Sequence, residues 1–355
     1  MDKVGKKVGQ DDEAEAYRQL ILFRPGEMGP VDAAMERAGR AVNHAEGNRL
    51  DVSFLHKSFC IAGLPLRRPK DQTAIFSRND GQFALTIAPN RFVLPDGAVC
   101  EVGVPWGAKG RLLMVWAATE ARDPMRRAGD RWLEIGKITQ WMTSIGIKVN
   151  GDNVPATKDQ LVRLAFSSFT MIMKNDGQTF FKQDRLIEGG VFPEQDLDHY
   201  AAGRFNKMRW PTGVELSQKA YDRFIQHAIP VPTARLAEIA NSAMAIDIFM
   251  YLCYRLPLIP TGESDLLTWR ALIAQFGSGE SPSKFRDTFQ ASIRSALAAY
   301  PEANVDLTEE GLVLRYSDPA ELRRAFIAVP RLLPGEGKTA PARTRRRFVP
   351  VKEED

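Results

Sequence analysis

The sequence predicts an α+β protein, mainly helical, with two successive helix–hairpin units between N- and C-terminal extensions. Three observations predict it. Ser281–Tyr316 is a helix pattern followed by two short alternating runs, and Phe83–Phe192 repeats that order. Outside about residues 54–317 the apolar periodicity fades. Within Ser281–Tyr316, Phe285, Phe289, Ile293, Ala296, Leu297 and Tyr300 share one helix face. Lys284, Asp287, Ala291, Arg294, Ser295 and Ala298 share the opposite face. Apart from Asp287 these are basic, small or hydroxylic, which suits close approach to a phosphate backbone and base edges. Pro301 stops the helix, and Val305–Leu307 and Leu312–Leu314 read as a hairpin through Thr308–Gly311. Short helix, longer helix, hairpin is the order of a winged helix-turn-helix, so the expectation is two tandem winged-helix domains. An amphipathic helix packed on a hairpin gives the same pattern without a DNA role.

The 355 residues suffice for two domains. Hydrophobic content of 44% and charged content of 26% are ordinary for a globular chain. The net charge of +4 permits a nucleic-acid partner without requiring one. Cys60, Cys100 and Cys253 are few, odd in number and far apart, which suits a reducing cytoplasm. No apolar run is long enough to span a membrane, and the N-terminus lacks the apolar core of a secretory signal.

In chain order, residues 1–50 read as a flexible arm, with weak helical patterns near Glu13–Phe23 and Val31–Ala45. The first winged-helix domain is expected over 51–192. It opens with Phe54 and a basic cluster, Arg67, Arg68 and Lys70, on a proline-rich turn. His56 and Cys60 have a metal-site spacing, but no further ligand lies near. Phe83–Ile87 and Val99–Val102 read as strands. Pro105 opens a helix with Leu112, Leu113, Val115, Trp116 and Ala117 as core. Ile135–Ile145 is a second helix, ended by Gly146. Thr157–Gln160 has capping-box spacing for a third that reaches Phe166. Phe169–Met173 and Thr179–Ile187 form a hairpin across Asn175–Gly177. Lys158 and Arg163 are expected to face DNA from the third helix, and Lys174 and Lys182 from the wing.

Residues 193–216 read as a linker rich in Asp, Gly and Pro. The second domain, 217–319, is read as helices over Leu216–Ala228, from Thr233, through Leu256 and over Ser264–Phe276, then the block from 281. Asp247, in the most apolar helix, reads as a buried anchor or an exposed edge. Residues 320–355 form a basic, disordered tail with Arg343, Arg345, Arg346 and Arg347.

Catalytic signatures are missing. Gly335–Thr339 lacks the first glycine of a phosphate-binding loop, whose place Leu332 takes. His44, His56, His199 and His227 are isolated, and no nucleophile elbow occurs. A binding protein is expected rather than an enzyme, with no cofactor and no metal.

The ordered motifs of the chain resemble the RepA-type plasmid replication initiators of bacteria. Phe54-Leu55-His56 with Leu64–Pro69 is similar to that family's N-proximal motif, and Gly103–Leu113 with Thr119-Glu120-Ala121 to its next helix. Trp106 stands for the usual tyrosine and Gly110 for the usual alanine. His227, Pro230 and Pro232, then Ser242–Ile248 with Tyr254-Arg255-Leu256, match in order. Trp269, Gln275–Gly277, Phe285–Phe289, Tyr300–Ala303 and Gly311-Leu312 follow. The resemblance implies tandem winged helices on repeated sites (iterons) of a plasmid origin. It further implies opening of an AT-rich duplex, recruitment of the host initiator and helicase, and a homodimer that represses its own gene. By position, Ser283, Lys284, Arg286 and Arg294 are the expected contacts of the last helix, joined by Arg67 and Arg68. A transcriptional regulator without an initiation role is the alternative, and a nicking enzyme a third reading.

Overall fold

The computed structural model describes residues 52–56, 63–79, 83–123, 126–136, 138–175 and 178–318. The expected arm, Cys60, the Asp176-Gly177 turn and the basic tail lie outside the described residues. β1 (Val52–His56) pairs antiparallel with β11 (Ala228–Pro232). β2 (Phe76–Asn79), β3 (Phe83–Ala88), β7 (Ser168–Asn175) and β8 (Gln178–Arg185) form one antiparallel sheet in that order. β4 (Asn90–Val93) and β5 (Val99–Val102) make a separate hairpin. The fold is α+β.

α1 (Gly107–Ala121) is apolar on nearly every side, and its core positions Leu112, Leu113, Val115, Trp116 and Ala117 are buried as the spacing predicts. β6 (Trp132–Glu134) and α2 (Ile138–Ser144) follow, then α3 (Asn153–Phe166). α3 starts a turn before the Thr157–Gln160 box. Pro155 is tolerated because first-turn amides need no intrahelical partner. The Thr157 hydroxyl donates to the Asn153 carbonyl at 2.7 Å instead of capping.

The expected linker is structured. It holds α4 (Asp196–Ala201) and β10 (Gly213–Leu216), the central strand between β6 and β9 (Ile187–Val191). Tyr200, Met208, Val214 and Leu216 are buried there. α5 (Gln218–His227), α6 (Thr233–Glu238) and α7 (Ala243–Arg255) follow. The Ser242 hydroxyl caps α7, accepting from the Ala245 amide at 3.2 Å.

The expected helix over Ser264–Phe276 divides into strand β12 (Ser264–Thr268) and helix α8 (Trp269–Phe276). Thr268 caps α8, accepting from the Ala271 amide at 3.4 Å. Alternating exposure through Asp265 and Leu267 suits β12 to pairing with β14 (Gly311–Arg315), which also pairs with β13 (Val305–Leu307). Gly311 has φ +151, and a Cβ there would stand 2.0 Å from the Leu267 carbonyl oxygen, so only glycine lets the strands approach. α9 (Pro282–Ala299) lies on α7.

The halves interlock. One buried cluster runs from Leu64 through α1 and α7 to Leu314, and β1 from the first half pairs with β11 from the second. The Arg111 guanidinium on α1 grips the Asp247 carboxylate on α7 through two bonds of 2.6 Å. Asp247 is therefore a buried anchor.

Candidate nucleic-acid interface

α9 buries and exposes the faces its spacing predicts. Phe285, Phe289, Ile293 and Ala296 are buried, and Leu297 is half-buried. Phe289 meets Phe276, Phe285 and Trp269 at ring-centroid separations of 5.8, 5.4 and 5.9 Å. The opposite face, Lys284, Asp287, Ala291, Arg294, Ser295 and Ala298, is exposed from end to end. Ser281 starts the helix, its hydroxyl accepting from the Lys284 amide at 3.4 Å, and Pro282 sits where its missing amide costs nothing. Ser283, Lys284, Arg286 and Arg294 are all exposed.

Arg286 is a brace as well as a surface cation. Its guanidinium lies 5.0 Å over the Trp269 ring, and the Trp269 indole donates to the Glu309 carbonyl at 2.9 Å. It thus ties α9 to the turn of the β13–β14 hairpin. Arg315 on β14 pairs with Asp306 at 2.6 Å and remains partly exposed. Arg270, at the start of α8, is exposed too. Sequence reasoning passed over Arg270 and Arg315. The alternation of β14 and the position of Arg270 one residue beyond a buried Trp were their only signals.

The Arg67–Lys70 turn is brought to this site from far away in the chain. All three cations are exposed. Glu280, in the turn between α8 and α9, has a carboxyl pKa held below its ordinary value. Partial burial pushes it up, and the Ser278 hydroxyl and amide together with the nearby Arg67 outweigh that. Ser278 donates to Glu280 through its amide at 2.8 Å and its hydroxyl at 2.6 Å. Arg78, whose guanidinium donates to the carbonyls of both Gly63 and Gly277 at 3.2 Å, joins the stretch before Arg67 to the turn that leads into α9.

Two expected contacts lie inside the protein. Arg163 is buried, with Nε on Asp159 at 2.8 Å and Nη1 on the Gln72 side chain at 2.8 Å and the Val104 carbonyl at 3.2 Å. Lys158 is buried, donates to the Met208 carbonyl and lies 5.3 Å over the Trp210 ring. Burial lowers its pKa, with Asp196 opposing. The α3 face that carries them is covered by the β4–β5 hairpin and by residues 197–208, which pack around Val162. A three-to-four spacing cannot reveal a second layer of protein on the polar face. Lys174 and Lys182, by contrast, are exposed on the β7–β8 hairpin. Among the described residues no group of three or more His, Cys, Asp or Glu is placed to hold a metal.

The family described as "Plasmid encoded RepA protein" matches residues 104–271, a span that ends inside α8 and leaves α9 beyond it. Two solved structures are similar at low identity. One is "Crystal structure of the RctB domains 2-3, RctB-155-483", with 9% identity, 73% of this chain and 97% of that chain covered and a TM-score of 0.40. The other is of SeMet derivatives of domains 2 and 3 of RctB, with 12% identity, 72% and 95% coverage and a TM-score of 0.42. At those scores the likeness carries nothing further. No curated protein matches the chain.

Proposed function

We propose, from the match of residues 104–271 to the family of plasmid-encoded RepA proteins, that the chain is a replication initiator that binds repeated sites in a plasmid origin. The observation that carries the DNA-binding part is the fully exposed face of α9, with Lys284 and Arg294 among small and hydroxyl side chains. The order α7, β12, α8, α9, β13, β14 is compatible with a winged helix; in this reading α9 enters the major groove and Arg294 reads base edges. Ser283, Lys284, Arg67 and Arg68 contact flanking phosphates at the N-terminal end of α9.

The first half repeats the order α1, β6, α2, α3 and hairpin. Because the polar face of α3 is internal, this unit meets DNA through its hairpin, with Lys174 and Lys182 on phosphates. Origin binding then promotes opening of the adjacent duplex and recruits the host initiator and helicase, and a homodimer represses the gene. The protein acts in the cytoplasm without catalysis of its own. No helix among the described residues is long and apolar enough to cross a membrane.

DNase footprinting of the DNA flanking the gene, at two salt concentrations, tests the reading. Protected direct repeats that survive the higher salt support it. Diffuse protection lost with salt reduces it to backbone attraction. Replication of a plasmid carrying only the protected origin separates an initiator from a regulator, and intact supercoiled origin DNA after incubation with Mg²⁺ excludes nicking.

A further inference from the structure

Three buried guanidinium groups converge on the short stretch that carries Arg67 and Arg68. Residues 63–75 contain no helix or strand. Three consecutive carbonyls there are held by side chains. Arg78 Nε donates to Gly63 at 3.2 Å, Arg111 Nη2 to Leu64 at 2.5 Å, and Arg111 Nη1 to Pro65 at 3.1 Å. The Gly107 amide also donates to Pro65, at 2.9 Å. On the far side of the basic turn, Arg163 Nη1 donates to the Gln72 side chain at 2.8 Å. The Asp71 carboxylate accepts from the Thr73 amide and hydroxyl at 2.8 and 2.7 Å, closing a local turn.

Arg78 also reaches the second half. Its Nη1 donates to the carbonyls of Gln275, in α8, and Gly277, the latter at 3.2 Å, so it neutralises the C-terminal end of that helix. One buried side chain therefore holds both the stretch leading to Arg67 and the turn leading into α9. Gly63 leaves no room for slack, since a Cβ there would lie 2.4 Å from Asp247 Oδ2 and 3.0 Å from Arg111 Nη2.

We infer that Arg78 and Arg163 are positioning residues that present the Arg67–Lys70 turn, preformed, to duplex DNA phosphates beside the N-terminal end of α9. This inference rests on the DNA-binding reading above. A turn held at both ends keeps its cations in place before DNA arrives, so binding does not have to order it. Neither Arg78 nor Arg163 touches DNA. Each acts through Arg67 and Arg68.

The test is the salt dependence of binding by the full chain, measured on a duplex carrying the footprinted repeat. Arg67→Ala with Arg68→Ala is expected to lower the slope of log K against log salt by about 1.8, the value for two phosphate contacts at ~0.9 each. Arg78→Gln is expected to lower the slope in the same direction, and to add nothing in the Arg67→Ala/Arg68→Ala background. A thermal melt verifies that each variant is folded. Should Arg78→Gln not fold, Arg163→Lys, which keeps the charge but loses the forked donor, takes its place with the same expectations.

An unchanged slope in Arg78→Gln beside a lowered one in the double variant overturns the inference. So does an equal loss of affinity from Arg78→Gln in both backgrounds, since that residue then acts only by capping α8. If Arg67→Ala/Arg68→Ala leaves binding untouched while Arg294→Ala abolishes it, the turn is no part of the interface, yet the reading of α9 stands. No sequence-specific binding by the unaltered protein would remove the DNA reading itself.

Discussion

Arg294 and Arg163 carry the same charge and have opposite fates. Arg294 stands exposed on α9, so Arg294→Ala should lower specific affinity by about tenfold or more, the ~1–3 kcal/mol of a bidentate base contact. Its melting temperature should hold, and a titration with unchanged affinity would exclude the assigned role. Arg163 spans Asp159, Gln72 and Val104 inside the protein. Arg163→Ala leaves the Asp159 carboxylate buried without its cation, and should cost about 3–5 kcal/mol in a denaturant melt. Arg111→Ala should cost a similar amount, because all five of its donors are engaged and Asp247 would be stranded. The thiols of Cys100 and Cys253 are both buried, and burial raises both pKa values, that of Cys100 to about 11 with Asp198 adding to the rise. In a Cys60→Ser variant, alkylation at neutral pH is expected only after unfolding. Rapid labelling of the native protein would contradict the packing described.

Among the elements, α9 was the most legible because its core face and its outer face differ in residue type at every turn. Its Ser281 cap should contribute ~1 kcal/mol, read as the melting shift of Ser281→Ala. The neighbouring turn depends on pH through Glu280. Its folded pKa is below its unfolded value, so its contribution is complete above about pH 4.5. That contribution is lost as pH falls through the lowered folded value. Glu280→Gln should remove that part of the acid dependence, which pH-dependent melting would show. β12 was misread as helix because Ser264–Thr268 continues the spacing of α8. Only its partner β14 makes the extended form favourable. α3 was placed correctly to within a turn, but its exposed face was misassigned.

At the scale of the whole molecule, residues 193–216, expected as a linker, carry regular structure. β10 lies within that segment, β1 pairs across it, and Arg111 and Asp247 join the halves from α1 and α7. Thermal unfolding followed by circular dichroism and by tryptophan fluorescence should therefore give coincident transitions. Two well-separated transitions would restore the picture of two independent domains. A fragment ending at residue 192 would expose the α1 surface that α7 covers and strand the Arg111 guanidinium, so it is not expected to fold.

The sequence by itself determined the α+β class, the core and outer faces of α9, the hairpin β7–β8 and the ordered motifs behind the RepA-family match over residues 104–271. These are properties of neighbours in the chain, set by periodicity, turn chemistry and ordered motifs. Only the tertiary structure decided that Lys158 and Arg163 are internal, that Asp247 is an anchor, and that Arg78 joins the stretch before Arg67 to the turn into α9. The physical reason is distance along the chain. A charge is buried or exposed according to what packs over it, and here the covering and gripping groups come from segments dozens to nearly two hundred residues away.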